Sequence, residues 1–289
     1  MADGHVIGNI RHIYSSVRQE SLVKFLVCVK QVPDSWAEKK LGADSRLDRA
    51  SVDAVLNDLD EYAIEEALRI CESSGGNGEG GEHSITLLSM GPDRATEAIR
   101  KGLSMGADNA ILISDDALAG SDALATSLVL AKAIESSGAN IVLCGTESTD
   151  ARMSVVPAML AERLGWPQLT FAGELKIDVT ANTVSIKRMT DEGLEEMEAP
   201  LPCVVSVIEK INEPRYPSFK GIMAAKKKSI ETHTLADIGL AADQVGSASS
   251  WSSVVDAALR PPRSAGIKVV DEGNGGNELV SFLADKKIV

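Results

Sequence analysis

Residues 84–114 read SITLLSMGPDRATEAIRKGLSMGADNAILIS. The apolar run Ser84–Ser89 has the length of a strand, and Gly91 and Pro92 then open a helix that carries Ala95, Ile99 and Leu103 on one face. Gly106 ends that helix, and the strand Ala110–Ser114 follows at once. A strand, a helix and a second strand with short links call for a crossover connection and parallel pairing.

The same grammar extends outward. Upstream, KFLVCVKQV (Lys24–Val32) reads as a buried first strand closed by Pro33. A polar stretch leads from it to Asn57 or Asp58, either of which caps a helix with Leu59, Ala63, Ile64, Ala67, Leu68 and Cys71 on one face; Asp58 with Glu61 resembles a capping box. Downstream come a helix from about Ser121 to Ile134 and the strand NIVLCG, Asn140–Gly145. Four alternations predict an α/β fold with a parallel-core sheet flanked by helices. After Gly165, Trp166 and Pro167 the texture shortens: Leu175, Ile177 and Val179, then Val184 and Ile186, then Val204 to Ile208 are expected to form an antiparallel edge. Past Asp237 the chain is irregular, with Pro261-Pro262 and a short terminal helix, Glu278–Asp285. The apolar residues there, among them Trp251, Val269, Leu279 and Phe282, suit an extended C-terminal arm ordered against another subunit.

The chain has 289 residues, with 44% apolar but only 3% aromatic side chains, which suggests a core of Val, Ile, Leu and Ala. Its net charge of -13 repels phosphate backbones and anionic membranes, so no nucleic-acid partner is expected. No run approaches the roughly 18–20 apolar residues of a membrane span, and no membrane insertion is expected. Residues 1–22 lack the apolar region of a secretion signal; they read as a disordered N-terminal extension, or as a start placed upstream of a true one near Val23. Cys28, Cys71, Cys144 and Cys203 form no C-x-x-C pair and sit in apolar runs, as reduced core thiols do. The four scattered histidines give no support for a metal or a catalytic triad.

Ligands of open α/β sheets sit beyond the carboxyl ends of the strands. Three places qualify: the end of the first strand at Cys28, the loop at Met90 and Gly91, and the loop GTESTDARMSVV, Gly145–Val156. The last leaves a strand through Gly145, offers Thr146, Ser148, Thr149 and Asp150, and enters a helix with Pro157 in its first turn. An ordinary capped loop has the same texture. Asn57 and Asp58 face a ligand or cap a helix, and spacing favours the cap. Paired acids such as Asp115-Asp116 lie in expected turns, so no acid/base pair emerges. The glycine-rich segment Ser73–His83 runs from a helix into a strand, the wrong direction for a phosphate cradle.

The segment NEPRYPSFKGIMAAKKK, Asn212–Lys228, is locally odd. Two prolines stiffen a stretch bearing Arg215, Tyr216 and Phe219, and three lysines follow in an otherwise acidic chain. It suits the docking of an acidic partner, or equally a connector whose Phe219 folds onto the core.

Taken in order, VCVKQVPD (27–34), DEYAIEEALRI (60–70), GPDRATEAIRKGLSMGAD (91–108), PAMLAERLGWPQ (157–168), the run 187–207, NEPRYPSFKGIMAAKKK (212–228) and SAGIKV (264–269) resemble the β subunit of electron-transfer flavoproteins. The resemblance implies a Rossmann-like, adenine-nucleotide-binding domain over 23–236 and an arm, 237–289, that packs on an α subunit holding most of the redox FAD. It implies AMP as a structural ligand in this chain, at Cys28, Asn57, Asp58, Leu59, Asp60, Met90, Gly145, Thr146, Ser148, Thr149, Asp150, Arg152, Met153, Ser154 and Val155. It places dehydrogenase docking on loop 212–221, through Pro214, Arg215, Tyr216, Phe219 and Lys220, with Phe219 where much of the family has leucine. The heterodimer would take electrons from acyl-CoA and related dehydrogenases, pass them to a membrane quinone oxidoreductase, and work in the cytoplasm. This chain would carry no catalytic residues. It departs from the family pattern at Ala151, Arg152, Met153 and Ser154, where many relatives have glycines and a threonine, at Asp58, where proline is common, and at Met189, where an acid is usual. The alternatives are an electron-bifurcating form with a second FAD here and a stand-alone nucleotide sensor.

Overall fold

The computed structural model describes residues 23–258 and 260–289; the expected N-terminal extension, 1–22, lies outside the described residues. The chain divides into two units, residues 1–253 and 254–289.

In the first unit, β1 (Lys24–Cys28) leads through β2 (Gln31–Pro33) and β3 (Ala54–Leu56) to α1 (Asp58–Ser73). Then come β4 (Ser84–Met90), α2 (Thr96–Met105), β5 (Asn109–Ile113), α3 (Ala123–Ser137), β6 (Ile141–Gly145) and α4 (Val156–Leu164). The rest is β7 (Gln168–Asp178), β8 (Thr183–Thr190), β9 (Gly193–Pro200), β10 (Cys203–Val207), α5 (Phe219–Ala225), β11 (Glu231–His233) and α6 (Gly246–Ser249). Nine strands form one sheet in the order β11-β5-β4-β1-β6-β10-β7-β8-β9, while β2 and β3 make a small antiparallel pair. Pairing is parallel from β11 to β7 and antiparallel through β7, β8 and β9.

Successive strand residues point to opposite faces, and the two cores follow that alternation. Phe25, Val27, Ile85, Leu87, Ile141 and Leu143 pack with Ile64, Leu68, Ile99 and Leu103 of α1 and α2. Leu26, Leu88, Val142 and Val204 pack with Val129, Ile134 and Leu160 of α3 and α4. Helices thus cover both faces, as a parallel sheet requires.

Three expectations need correction. The run Lys24–Val32 is not one strand, because the chain leaves the sheet after Cys28: the Lys30 N–H donates to Asp60 Oδ2 at 2.8 Å, and Gln31–Pro33 pair with β3. Val204–Ile208 does not join the antiparallel edge. As β10 it is buried throughout and lies parallel between β6 and β7, where CVVSV meets helices on both faces; the edge is the β7–β8–β9 meander. The Asp58–Glu61 capping box does not form, since Asn57 holds the N-cap position of α1 and spends its side chain elsewhere. Beyond residue 237, Gly246 N–H donates to Ser121 Oγ (2.9 Å) and Trp251 N–H to Asp122 Oδ2 (2.8 Å), holding this stretch within the first unit.

The second unit contains α7 (Gly275–Asp285), three residues longer at its start than the expected helix. Among the described residues no helix is long and apolar enough to cross a membrane.

Candidate functional site

The strand order β5-β4-β1-β6 puts the first three main strands on one side and the fourth on the other, so the order of strand addition reverses between β1 and β6, which remain parallel. Such a switch point opens a crevice beyond the carboxyl ends of the two strands. A cavity of about 320 Å³ lies there.

Nine of the residues singled out by sequence line it: Cys28 at the end of β1, Asp60 in the first turn of α1, Met90 at the end of β4, and Gly145, Thr146, Ser148, Met153, Ser154 and Val155 in the loop after β6. Asn57, Asp58, Leu59, Thr149, Asp150 and Arg152 do not. Asn57 and Asp150 hold the wall from behind. Fully buried, Asn57 donates from Nδ2 to Glu147 O (3.0 Å) and Asp60 Oδ1 (2.9 Å), and its Oδ1 accepts from Thr149 N–H (3.0 Å). One amide therefore ties the β6 loop to α1.

Asp150 accepts from Lys30 Nζ at 2.9 Å and pairs with Arg49 on its other oxygen, with its side chain inaccessible to solvent. Burial alone would raise this carboxyl, but Lys30, Ser148 and Arg49 overcome it and hold the group at about 2. For Asp60 burial wins: despite the Asn57 and Lys30 hydrogen bonds its carboxyl is pushed up to about 7. Two neighbouring carboxylates thus sit far apart in titration, one fixed as an anion and one able to carry a proton near neutrality.

The Asp60 shift has a definite sign in stability. Its pKa is about 7 folded and 3.8 ordinarily, so the folded chain binds the extra proton between those values. The contribution is full below the lower value and lost as pH rises to the upper one, on the order of 4 kcal/mol at most. Asp150 acts oppositely, adding stability as pH rises from about 2 to 3.8. Urea unfolding between about pH 5 and pH 7 is expected to show a steeper fall in stability for the native chain than for Asp60→Asn. Parallel slopes would refute the assignment.

Arg152 (φ 51°) and Ser154 (φ 55°) hold left-handed backbone in the β6 loop. Side chains there carry strain of about 1 kcal/mol or more each. The loop still adopts the fold because Asn57, Lys30 and the pair Ser154 Oγ to Glu147 Oε2 (3.1 Å) anchor it.

Sequence reading missed part of the wall. Ser121, Asp122 and Thr126 line the cavity from the start of α3, where Asp122 caps the helix by accepting from Ala125 N–H at 3.0 Å. The signal was present, since the loop after β5 also follows a strand carboxyl end. Arg49 lines it too, and nothing in the polar stretch 34–53 pointed there; Arg94 fixes that stretch through Arg49 O and Val52 O.

Loop 212–221 lies apart from the cavity. Arg215 accepts no free role in it: its Nε donates to buried Glu65 at 2.7 Å and its Nη2 to Glu65 (3.0 Å) and Glu72 (3.0 Å), all on α1. Asn212 Nδ2 donates to Glu66 Oε2 (2.9 Å) and Tyr62 O (3.0 Å). The loop is thereby pinned while Tyr216 stays 96% and Phe219 80% exposed, with Ile222 and Met223 beside them. Phe219 does not fold back onto the core. Pro214 is half-buried and Lys220 exposed. Of the three following lysines, Lys228 is occupied, donating from Nζ to Ala107 O at 2.5 Å.

A doubly wound α/β protein with its crevice at the switch point is the class that this fold and site define. The electron transfer flavoprotein domain matches residues 45–238. The chain is 49% identical over 270 residues to the electron transfer flavoprotein subunit beta of Mycobacterium bovis, covering 93% of this chain and all of the relative; the Mycobacterium leprae subunit is equally similar. The Megasphaera elsdenii subunit is 34% identical over 273 residues, covering 92% and 98%. The chain belongs to the electron transfer flavoprotein family, among its beta subunits.

Proposed function

We propose that this chain is the non-catalytic half of a heterodimeric electron carrier, holding AMP in the switch-point cavity while an α subunit holds most of the FAD, and docking acyl-CoA and related dehydrogenases through loop 212–221. The observation that carries this reading is the pinned loop: Arg215 and Asn212 fix its backbone to α1 while Tyr216 and Phe219 stand in solvent. Exposed aromatic residues on an already ordered loop lose little entropy when a partner covers them, which is what a transient docking site needs.

The cavity fits a mononucleotide. At about 320 Å³ it lies within the roughly 300–1,000 Å³ of small-ligand sites. Leu88, Met90, Leu130 and Pro157 offer an apolar bed for a base, and the hydroxyls of Ser121, Thr126 and Ser148 with Lys30 and Arg49 offer donors for a phosphate. FAD supplies the electron-accepting chemistry when the α subunit is bound. This chain's part is to position the complex on its dehydrogenase, after which electrons pass to a membrane quinone oxidoreductase. A cytoplasmic location goes with that role.

Phe219→Ala tests the docking assignment. Exposed as it is, its loss is expected to change stability by no more than about 0.5 kcal/mol, to leave flavin content unchanged, and to slow reduction by the dehydrogenase about tenfold or more, the loss of one apolar anchor. Unchanged coupling in stopped-flow assays would place docking elsewhere.

A further inference from the structure

Two cysteines meet at the floor of the cavity. β1 and β6 are neighbours in parallel register, with Leu26 opposite Val142 and Val27 opposite Leu143, which sets Cys28 beside Cys144 one residue further on. Both side chains project to the same face of the sheet, the α3/α4 face, and both line the cavity. Cys144 is buried and Cys28 half-buried, and both are free. Neighbouring strands lie roughly 4.8 Å apart, inside the about 4.4–6.8 Å that Cα atoms joined by a disulfide span.

We propose that Cys28 and Cys144 form a two-thiol modification site that a hydroperoxide oxidises to an intrachain disulfide. The Cys28 thiolate attacks one oxygen of hydrogen peroxide, the O–O bond breaks, and sulfenic acid and hydroxide result. The Cys144 sulfur then attacks the Cys28 sulfur, the S–O bond breaks, and water leaves with the thiol proton. Two thiols lose two electrons and two protons, and one peroxide becomes two waters.

The division of roles follows from exposure and environment. Cys28 reaches the cavity, where a small oxidant enters. The neighbouring Cys28 thiol, together with burial and the nearby charge of Asp60, pushes the Cys144 thiol up, so it stays protonated and inert until a sulfenic acid forms beside it. Cys71 and Cys203 lie on the opposite face of the sheet, and burial pushes both up to about 12, so they serve as internal controls.

The test uses the full chain copurified with its flavin-bearing partner, treated with hydrogen peroxide, blocked with N-ethylmaleimide and mapped by peptide mass spectrometry. The expected result is a dithiothreitol-reversible link between the Cys28 and Cys144 peptides, with Cys71 and Cys203 unlinked. Cys144→Ser is expected to abolish the link and leave Cys28 trapped by dimedone as its sulfenic acid. The proposal is overturned if both thiols stay reduced while the peroxide is consumed, or if native Cys28 is oxidised without joining Cys144.

Discussion

Gly145→Ala is expected to destabilise the chain by about 1–3 kcal/mol, the range for forcing atoms into a filled interior, and to abolish binding of the nucleotide proposed for the cavity. Gly145 ends β6 where the sheet meets the first turn of α1. A Cβ there would lie 2.7 Å from Asp60 Oδ1 and equally close to the Leu59 carbonyl carbon and oxygen. Most of the obstruction is backbone, so it cannot rotate away. Relief requires β6 and α1 to part, which pulls the β6 loop off Asn57 and moves Asp60, so one methyl disturbs both the β6 loop and the α1 side of the site. Gly276→Ala is the control, since no atom lies within 4 Å of that position. Urea denaturation and nucleotide content after purification measure both effects. A stable Gly145→Ala chain that retains its nucleotide would show that the first turn of α1 yields more easily than its contacts imply.

Arg215→Ala is expected to have the second largest effect, by a route distinct from that of Phe219→Ala. Arg215 is the sole side chain pairing with buried Glu65 among the described ion pairs, and it also grips Glu72. Its loss strands the Glu65 carboxylate. Breaking a fully buried pair costs about 3–5 kcal/mol; Arg215 is a third exposed, so about 1–3 kcal/mol is expected here. The loop should loosen from α1, and reduction by the dehydrogenase should slow about tenfold or more even though Phe219 is intact, because the docking residue must then be ordered on each encounter. Arg215→Lys restores the charge without the fork geometry and is expected to recover only part of the rate. If Arg215→Ala slowed docking with no loss of stability and no rise in the loop's hydrogen exchange, the residue would be touching the partner directly.

The parallel core was legible because its rule is local: apolar runs of strand length alternate with helical spacing, and the glycines at 106 and 165 punctuate them. The crevice was legible for the same reason, since strand carboxyl ends mark it. What stayed hidden depends on contacts distant in sequence. CVVSV could be an edge or a centre until β6 and β7 are known to flank it. Asn57 looks like a cap, and only the β6 loop, about ninety residues away, shows that its amide is a tie. Arg215 reads as a free charge for a partner, yet Glu65 and Glu72 consume it. Arg49 lies in a polar stretch whose path is set by Arg94 and Asp150, and no local pattern records that.

The most direct measurement is extraction and chromatographic identification of the nucleotides in the purified complex of this chain with its flavin-bearing partner. AMP and FAD are expected in equal amounts, with AMP lost and FAD kept in Gly145→Ala. Two FAD per complex, or FAD with no adenine mononucleotide, would contradict this.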